Sequence, residues 1–291
     1  MTESLKIEIE GPIAQVILNR PEKANALDGE LWQALGKCFR DLDQNKSVRV
    51  CILSAEGKHF TAGIDLNLLQ EIGIKSEEYD CEGRKRDFLR RKILELQSSF
   101  SEFERCRKPV IAAVHGSCIG GGIDLITACD LRYSTEDARF QIKEIDLGLV
   151  ADVGTLQRLP ILIPQGIVRE LAFTGRIFDG KEALSIGLLN NCYENKESLM
   201  QGVLEVARSI AAKSPLAISG IKETLLYSRD HTVQESLNQV ATWNSAMLLS
   251  EDLEEAMMAH LQNRTAKFSD LSLPFLTSNA DDSCPGPVGA N

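Results

Sequence analysis

Residues 108–125 read Lys108-Pro109-Val110-Ile111-Ala112-Ala113-Val114-His115-Gly116-Ser117-Cys118-Ile119-Gly120-Gly121-Gly122-Ile123-Asp124-Leu125. Five small or β-branched apolar residues follow a proline without a charge, the composition of a strand buried on both faces. His115-Gly116 breaks the run, and three consecutive glycines then lead into an apolar segment that predicts a helix from about Gly121. The stretch from Pro109 to Leu131 is nearly uncharged and long enough to suggest a membrane span. His115, Asp124, the glycines and the lack of a long Leu/Ile/Val run argue instead for a buried strand, a tight turn and a helix. That unit sets the fold class as α/β.

The flanking sequence extends the pattern. Leu5–Ile9 and Ile13–Asn19 are strands separated by Gly11-Pro12. Asp28 is the expected N-cap of a helix from Gly29 to about Leu42, with Leu31, Leu35, Phe39 and Leu42 on one face. Val48–Ser54 is a buried strand. Phe60-Thr61-Ala62-Gly63-Ile64-Asp65-Leu66 is a turn entering a short helix, residues 74–83 form a polar loop, and Arg84–Arg105 is a long amphipathic helix. Strands are expected at Leu131–Ser134 and near Arg139–Ile142. Beyond Ile163 the chain turns helical, at about Gln165–Phe173, Asp179–Ile186, Glu197–Ala212, Pro215–Ser228, Val233–Leu248 and Ser250–Leu261. Two short strands recur per helix, with connections too short for simple βαβ crossovers.

The 291 residues are 43% hydrophobic and 25% charged, an ordinary globular composition. The formal net charge of −10 opposes nucleic-acid binding. The eight cysteines form no C-x-x-C pair, and several lie in apolar runs such as Val50-Cys51-Ile52, so they read as buried thiols rather than a disulfide frame or zinc site. The four histidines form no metal-binding motif. Met1-Thr2-Glu3-Ser4-Leu5-Lys6 has no apolar targeting core. Ser269-Asp270-Leu271 is internal and carries Asp where a peroxisomal tripeptide has Lys, and Gly289-Ala290-Asn291 is no such signal.

Several motif matches fail. Gly175 to Glu182 fits a Walker A loop except at its last position, where Glu182 replaces the magnesium-binding hydroxyl; a helix-ending Gly175 is the better reading. Ser117 lacks a G-x-S-x-G context. The basic run Arg84, Lys85, Arg86, Arg90, Arg91 and Lys92 reads first as a solvated helix face and second as a phosphate contact.

The triple glycine has two readings of equal weight. One is close packing of helix on strand, the other close approach of a ligand to bare N–H groups at a helix start. The turn at Thr61–Asp65 is a second strand-to-helix turn of the same kind. Together the two turns can aim two N–H groups at one carbonyl oxygen, which is the arrangement of an oxyanion hole. Asp124, Glu144, Asp146 and Asp152 fall in or beside apolar stretches. Such acids are either hydrogen-bonded structure or groups with raised pKa kept for proton transfer. Several of them near one glycine-rich turn favour the latter.

The segments Lys108–Gly116, Gly120–Leu125, Ala128–Arg132, Phe140–Glu144, Ile17–Pro21 and Asn25–Leu27 resemble the enoyl-CoA hydratase/isomerase (crotonase) family over roughly residues 5–265. The resemblance implies a crotonase-like spiral of ββα turns over residues 1–195, a helical C-terminal trimerisation region over 196–265, and a tail at 266–291 expected to be disordered. It implies acyl-CoA thioester substrates, no cofactor or metal, and a homotrimer or hexamer without nucleic-acid or membrane partners. The oxyanion-hole donors carry over to the N–H groups of Ile64 and Gly121, and Ala62-Gly63-Ile64-Asp65-Leu66 to the stretch along the CoA.

Within the family, Asp124, Glu144 and Asp152 are similar to the carboxylate set of the Δ3,5-Δ2,4-dienoyl-CoA isomerase subgroup, as are His115–Leu125, Gln141–Leu159 and Leu226–His231. Hydratases have a small Gly where this chain has Asp152. The segment at 70–90 and the tail after Phe268 depart from the subgroup. The resemblance implies removal of a C2 proton by Glu144, protonation of C6 by Asp152, and orientation or tuning of the pair by Asp124, in the oxidation of unsaturated fatty acids. A mitochondrial or peroxisomal compartment follows if the source is eukaryotic. The alternative within the family is a 2-enoyl-CoA hydratase; outside enzymes it is an RNA-binding or scaffold homologue, which the net charge opposes.

Overall fold

β1 (Leu5–Glu10) and β2 (Ile13–Leu18) form the antiparallel hairpin expected around Gly11-Pro12. Four parallel pairings then extend the sheet through β3 (Val50–Ala55), β4 (Val110–Val114), β6 (Leu131–Thr135) and β9 (Asn191–Tyr193), in the order β1-β2-β3-β4-β6-β9. A smaller sheet, β5-β7-β8, pairs β5 (Ser117–Ile119) with β7 (Arg139–Gln141), and β7 in turn with β8 (Phe178–Asp179). All residues of β3 and β4 are buried, as their uncharged sequences predict. The computed structural model describes residues 3–272.

One face of the large sheet is covered by α1 (Gly29–Asp43) and α3 (Glu82–Arg105). Asp28 caps α1 by accepting from the Leu31 N–H at 2.8 Å, and Leu31, Leu35, Phe39 and Leu42 are buried as the periodicity requires. Gly36 lets α1 approach α3 closely, since a Cβ there would lie 2.9 Å from the Ser99 Cα. Phe39 packs on Phe103 with ring centroids 3.9 Å apart. The helix after the Thr61–Asp65 turn, α2 (Leu66–Ser76), is longer than expected and takes in three residues of the predicted loop; Asp65 caps it through the Asn67 N–H.

The other face is covered by α8 (Lys196–Ala211), whose Leu199, Val203, Ala207 and Ala211 pack on Ile13, Val50, Ile52, Ile111 and Ala113. The sequence grouped this helix with the C-terminal region, yet it closes the sheet. α4 (Gly121–Thr127), α5 (Thr155–Leu162), α6 (Gln165–Thr174) and α7 (Gly180–Ser185) add their buried residues to the same core as α1 and α3. Gly175 ends α6 in a left-handed conformation, the role preferred over a nucleotide loop. The short strands β5 and β8 were not anticipated, nor were two further elements. α5 contains Pro160, which reads as a helix breaker, and β9 is a three-residue edge strand too short to carry a period.

The chain ends in α9 (Pro215–Tyr227), α10 (Val233–Met247) and α11 (Glu251–Leu261), close to the expected bounds. α10 buries no residue, and Leu225, Val233, Leu237, Met257 and Leu261 are exposed. Lys222 anchors α9 to the core by donating to Asp130 at 2.7 Å and to the Phe103 carbonyl at 2.9 Å. Arg49 holds the start of the tail through the Phe268 carbonyl at 2.6 Å and Asp270 at 2.7 Å. The tail expected to be disordered lies, from residue 273 onward, outside the described residues. Among the described cysteines five are buried, Cys81 is exposed, Cys192 is half-buried, and all are free thiols. No helix among the described residues is long and apolar enough to cross a membrane.

Candidate active site

Three chain segments meet around one cavity of about 690 Å³: residues 62–66, 119–124 and 143–153. It brings together every candidate residue from the sequence, namely Ala62, Gly63, Ile64, Asp65, Leu66, Gly121, Asp124, Glu144 and Asp152.

The first two segments are placed by backbone pairing. The Phe60 and Thr61 N–H groups donate to the His115 and Ser117 carbonyls, and the Ile119 N–H donates back to Thr61. On the other side, the Leu27 N–H donates to Gly63 and the Asp65 N–H to Leu27, so Ile64 faces away from Leu27. Its N–H is left without a protein acceptor among the described residues. Gly121 is the first residue of α4, and its N–H is likewise free, as a first-turn amide must be. The two N–H groups are neighbours: a Cβ on Gly121 would lie 3.7 Å from the Ile64 nitrogen, and a Cβ on Gly63 would lie 3.4 Å from the Gly121 nitrogen.

The three glycines face different neighbours. Gly120 has φ +52°, and a Cβ there would sit 3.1 Å from the Glu144 Oε1. Gly121 faces the cavity, where a Cβ would press on Leu27 at 3.3 Å and Trp32 at 3.5 Å. Gly122 serves packing, since its Cβ would meet the Thr61 methyl at 2.6 Å.

The turn depends on a latch that the sequence did not reveal. Asn25, fully buried, accepts from the Arg20 N–H at 2.7 Å and donates to the carbonyls of Glu56 and His59 at 2.9 and 2.8 Å. The Thr61 hydroxyl donates to the Asn25 carbonyl at 2.7 Å and accepts from the Gly63 N–H at 3.1 Å. A buried Asn with its hydrogen bonds met is a strong constraint on a loop. Its only sequence signal was membership in the Asn25-Ala26-Leu27 segment.

The three carboxylates differ in setting. Asp124 is 1% exposed and accepts from the Thr155 N–H at 2.6 Å, capping α5. Burial, reinforced by Asp152, pushes its pKa up to about 6, against the opposing Thr155 contact and Arg158. Glu144 is half-buried, and its Oε2 is buried with no partner among the described residues. Burial, with the Asp124 and Asp152 charges, pushes its pKa up to about 7. Asp152 is exposed on the cavity rim, and partial desolvation raises its pKa. Asp146 stands apart from the cavity, paired to Lys143 at 2.7 Å.

The rim also departs from the sequence reading. Its apolar stretch suggested burial, yet Ile145, Leu147, Leu149 and Val150 are all exposed. Opposite them, Leu69 and Ile72 of α2 and Leu89, Ile93 and Leu96 of α3 form an apolar wall. Trp32 closes it from below, donating to the Leu96 carbonyl at 2.9 Å and stacking on Phe100 at 4.5 Å. Of the basic run, only Lys92 lines the cavity; Lys85, Arg86 and Arg91 pair with acids on the surface.

Residues 8–271 match the model of the enoyl-CoA hydratase/isomerase family. The chain belongs to this family. A peroxisomal Δ(3,5)-Δ(2,4)-dienoyl-CoA isomerase of Arabidopsis thaliana is 48% identical, over 92% of this chain and 97% of the relative. A mitochondrial Δ(3,5)-Δ(2,4)-dienoyl-CoA isomerase of Homo sapiens is 46% identical, over 91% of this chain and 81% of the relative. Among solved structures, an enoyl-CoA hydratase from Bacillus anthracis superposes with a TM-score of 0.81 at 26% identity, covering 91% of this chain and 99% of that one. The spiral of ββα turns implied by the sequence is thus the family's fold.

Proposed function

We propose that this family member isomerises 3,5-dienoyl-CoA to 2,4-dienoyl-CoA in the oxidation of unsaturated fatty acids. The observation that carries the reading is the meeting of two free N–H groups and three carboxylates of raised pKa at one apolar cavity, in a chain similar to two such isomerases.

The thioester oxygen accepts from the Ile64 and Gly121 N–H groups, which already point into the cavity and need no rearrangement as charge develops. Ionised Glu144 removes a proton from C2. The electrons shift through the conjugated system onto the thioester oxygen and return as neutral Asp152 donates its proton to C6. The C3–C4 and C5–C6 double bonds become C2–C3 and C4–C5. The cycle ends with Glu144 protonated and Asp152 ionised, and exchange with solvent at the open rim resets both. A base pushed up to about 7 is suited to taking a proton near neutrality, and partial desolvation shifts Asp152 in the direction of its proton-bearing form. Asp124 touches neither carbon; it caps α5 and raises Glu144 by its charge.

No step draws on a metal or redox group, and CoA enters as part of the substrate. The exposed apolar residues of α9–α11 support burial against other copies of the chain, in a trimer or a dimer of trimers. The C-terminal region so defined begins after α8, which serves the core. A peroxisomal or mitochondrial site follows from the compartments of the two relatives.

Incubation with a 3,5-dienoyl-CoA tests the reading. The expected result is a rise of 2,4-dienoyl absorbance. Hydration of a crotonyl thioester with no dienoyl product would instead make the chain a hydratase.

A further inference from the structure

Three polar residues on one face of α3, spaced four and three apart, reach toward the segment that carries Asp152. Gln97 donates its amide N–H to the Asp152 carbonyl at 2.6 Å. The Ser101 hydroxyl and the Glu104 carboxylate accept from the Arg158 guanidinium at 3.3 and 2.8 Å, and Arg158 donates in turn to the Val153 carbonyl at 3.2 Å. Arg229, in the turn after α9, donates to the other Glu104 oxygen at 2.6 Å. Burial opposes the charge on Glu104, but the two guanidinium groups outweigh it and hold the carboxyl below its usual range.

Ala151 and Val153, on either side of Asp152, are buried in the core, which leaves the direction of the Asp152 side chain itself to be set by polar contacts. Asp152 is exposed, and residues 148–150 before it are exposed as well. Gly154 has φ +139°, and the Arg158 guanidinium occupies the space a Cβ would need there, so the chain turns sharply under that side chain. On the far side of the turn, the Thr155 N–H is held by Asp124. The consecutive carbonyls of Asp152 and Val153 are therefore both tied to α3, one directly and one through Arg158. A carboxylate on an exposed rim can point in many directions unless its backbone is fixed.

We infer that Gln97, and the Glu104–Arg158 pair beside it, are positioning residues that aim the Asp152 carboxylate at the distal end of the substrate. The inference rests on the proposed role of Asp152 as the acid at C6. Gln97 touches no reacting atom; it acts through the Asp152 backbone. Loss of its hydrogen bond loosens the acid while leaving Glu144 and the two amides in place, because none of them contacts α3 through Gln97. The chemistry predicts a specific signature: slow protonation at C6 with normal proton removal at C2. Arg229 extends the chain of contacts to the end of α9, so the seating of that helix bears on the same acid.

The test compares Gln97→Met, which keeps length but cannot donate, with Asp152→Asn and the parent enzyme. Two rates are read with a 3,5-dienoyl-CoA in deuterium oxide: product formation, and deuterium entry at C2 of unreacted substrate. Misplacement of a catalytic group by about 1 Å costs on the order of 100-fold, so product formation by Gln97→Met is expected to fall about 10- to 100-fold. Its KM and C2 exchange stay near parental values, and its thermal midpoint stays close to the parent's. Glu104→Gln is expected to shift the ratio of product to exchange the same way, by a smaller factor. If Asp152→Asn loses product formation and Gln97→Met keeps it, the positioning role is overturned while the acid stands. Equal loss of exchange and product in a folded Gln97→Met would also overturn it, since Gln97 would then act on the whole site. Normal turnover by Asp152→Asn would instead remove the acid itself, and the positioning role with it.

Discussion

The two walls of the cavity are built on different principles. The amide wall, from Ala62–Asp65 and Gly120–Asp124, is pinned by backbone hydrogen bonds on both sides and latched by buried Asn25. The carboxylate wall, from Glu144 to Val153, is largely open, and its acids are half-buried or exposed. Fixed dipoles must be in place before charge develops, because reorganisation during the reaction would forfeit their benefit. Proton-transfer groups must instead reach solvent between turnovers, and a rim allows that. The rigid wall needs glycines and a buried polar latch; the open one needs external ties.

The amide wall is broken most severely at its narrowest point. Gly121→Val places methyl groups against Leu27, Trp32 and the Ile64 amide. Loss of one oxyanion donor costs on the order of 100- to 1,000-fold in kcat, and the substitution is expected to reach at least that. C2 exchange falls with product formation, because both need the enolate. Near-parental turnover by Gly121→Val would remove Gly121 from the oxyanion hole.

Asp124 joins the two walls, and its substitution sharpens the contrast through pH. Glu144 must be ionised to act, so C2 exchange rises with pH through about 7. The Asp124 charge is one of the causes that raise Glu144. Asp124→Asn removes it, and the limb is expected to move to lower pH while the Thr155 cap is kept by the amide oxygen. Asp124 also has its own folded pKa raised to about 6. Its folded state favours the proton, so the stability it contributes is present in acid and lost as pH rises through about 6. The thermal midpoint of Asp124→Asn relative to the parent should therefore improve between pH 4 and pH 7. A limb that stays put or moves up would separate Asp124 from Glu144 electrostatically.

A smaller effect lies far from both walls. Truncation after Lys267 removes the Phe268 and Asp270 contacts of Arg49. An exposed ion pair contributes about 0–1 kcal/mol, so the thermal midpoint should fall slightly while turnover and light-scattering mass are unchanged. A drop in mass would tie the tail to assembly.

The contrast also explains what could be read from the sequence. β4 and α4 were legible because an uncharged run and three glycines leave few alternatives. The hairpin and the α1 cap were legible from local turn and capping chemistry. Asp124, Glu144 and Asp152 stood out as acids among apolar residues, and family resemblance gave them roles. α5 was missed because Pro160 masks a helix held by its cap on Asp124, a contact 31 residues away in sequence. Gln97 was missed because a polar residue on an amphipathic helix reads as solvated; its use appears only when residue 152 is brought beside it. The exposure of Leu147, Leu149 and Val150 was hidden for the converse reason, since an apolar run reads as core whether it lines a core or a rim.

The central claim is that Glu144 and Asp152 act at opposite ends of the substrate over a shared set of amides. Deuterium entry at C2 of a 3,5-dienoyl-CoA, measured by mass spectrometry beside product formation in Asp152→Asn, tests it most directly. General acid–base groups contribute roughly 100- to 10,000-fold, so product formation is expected to fall by that range while C2 exchange continues. Normal product formation would contradict the claim, and loss of exchange together with product in a folded, substrate-binding variant would show that the carboxylates work as one unit.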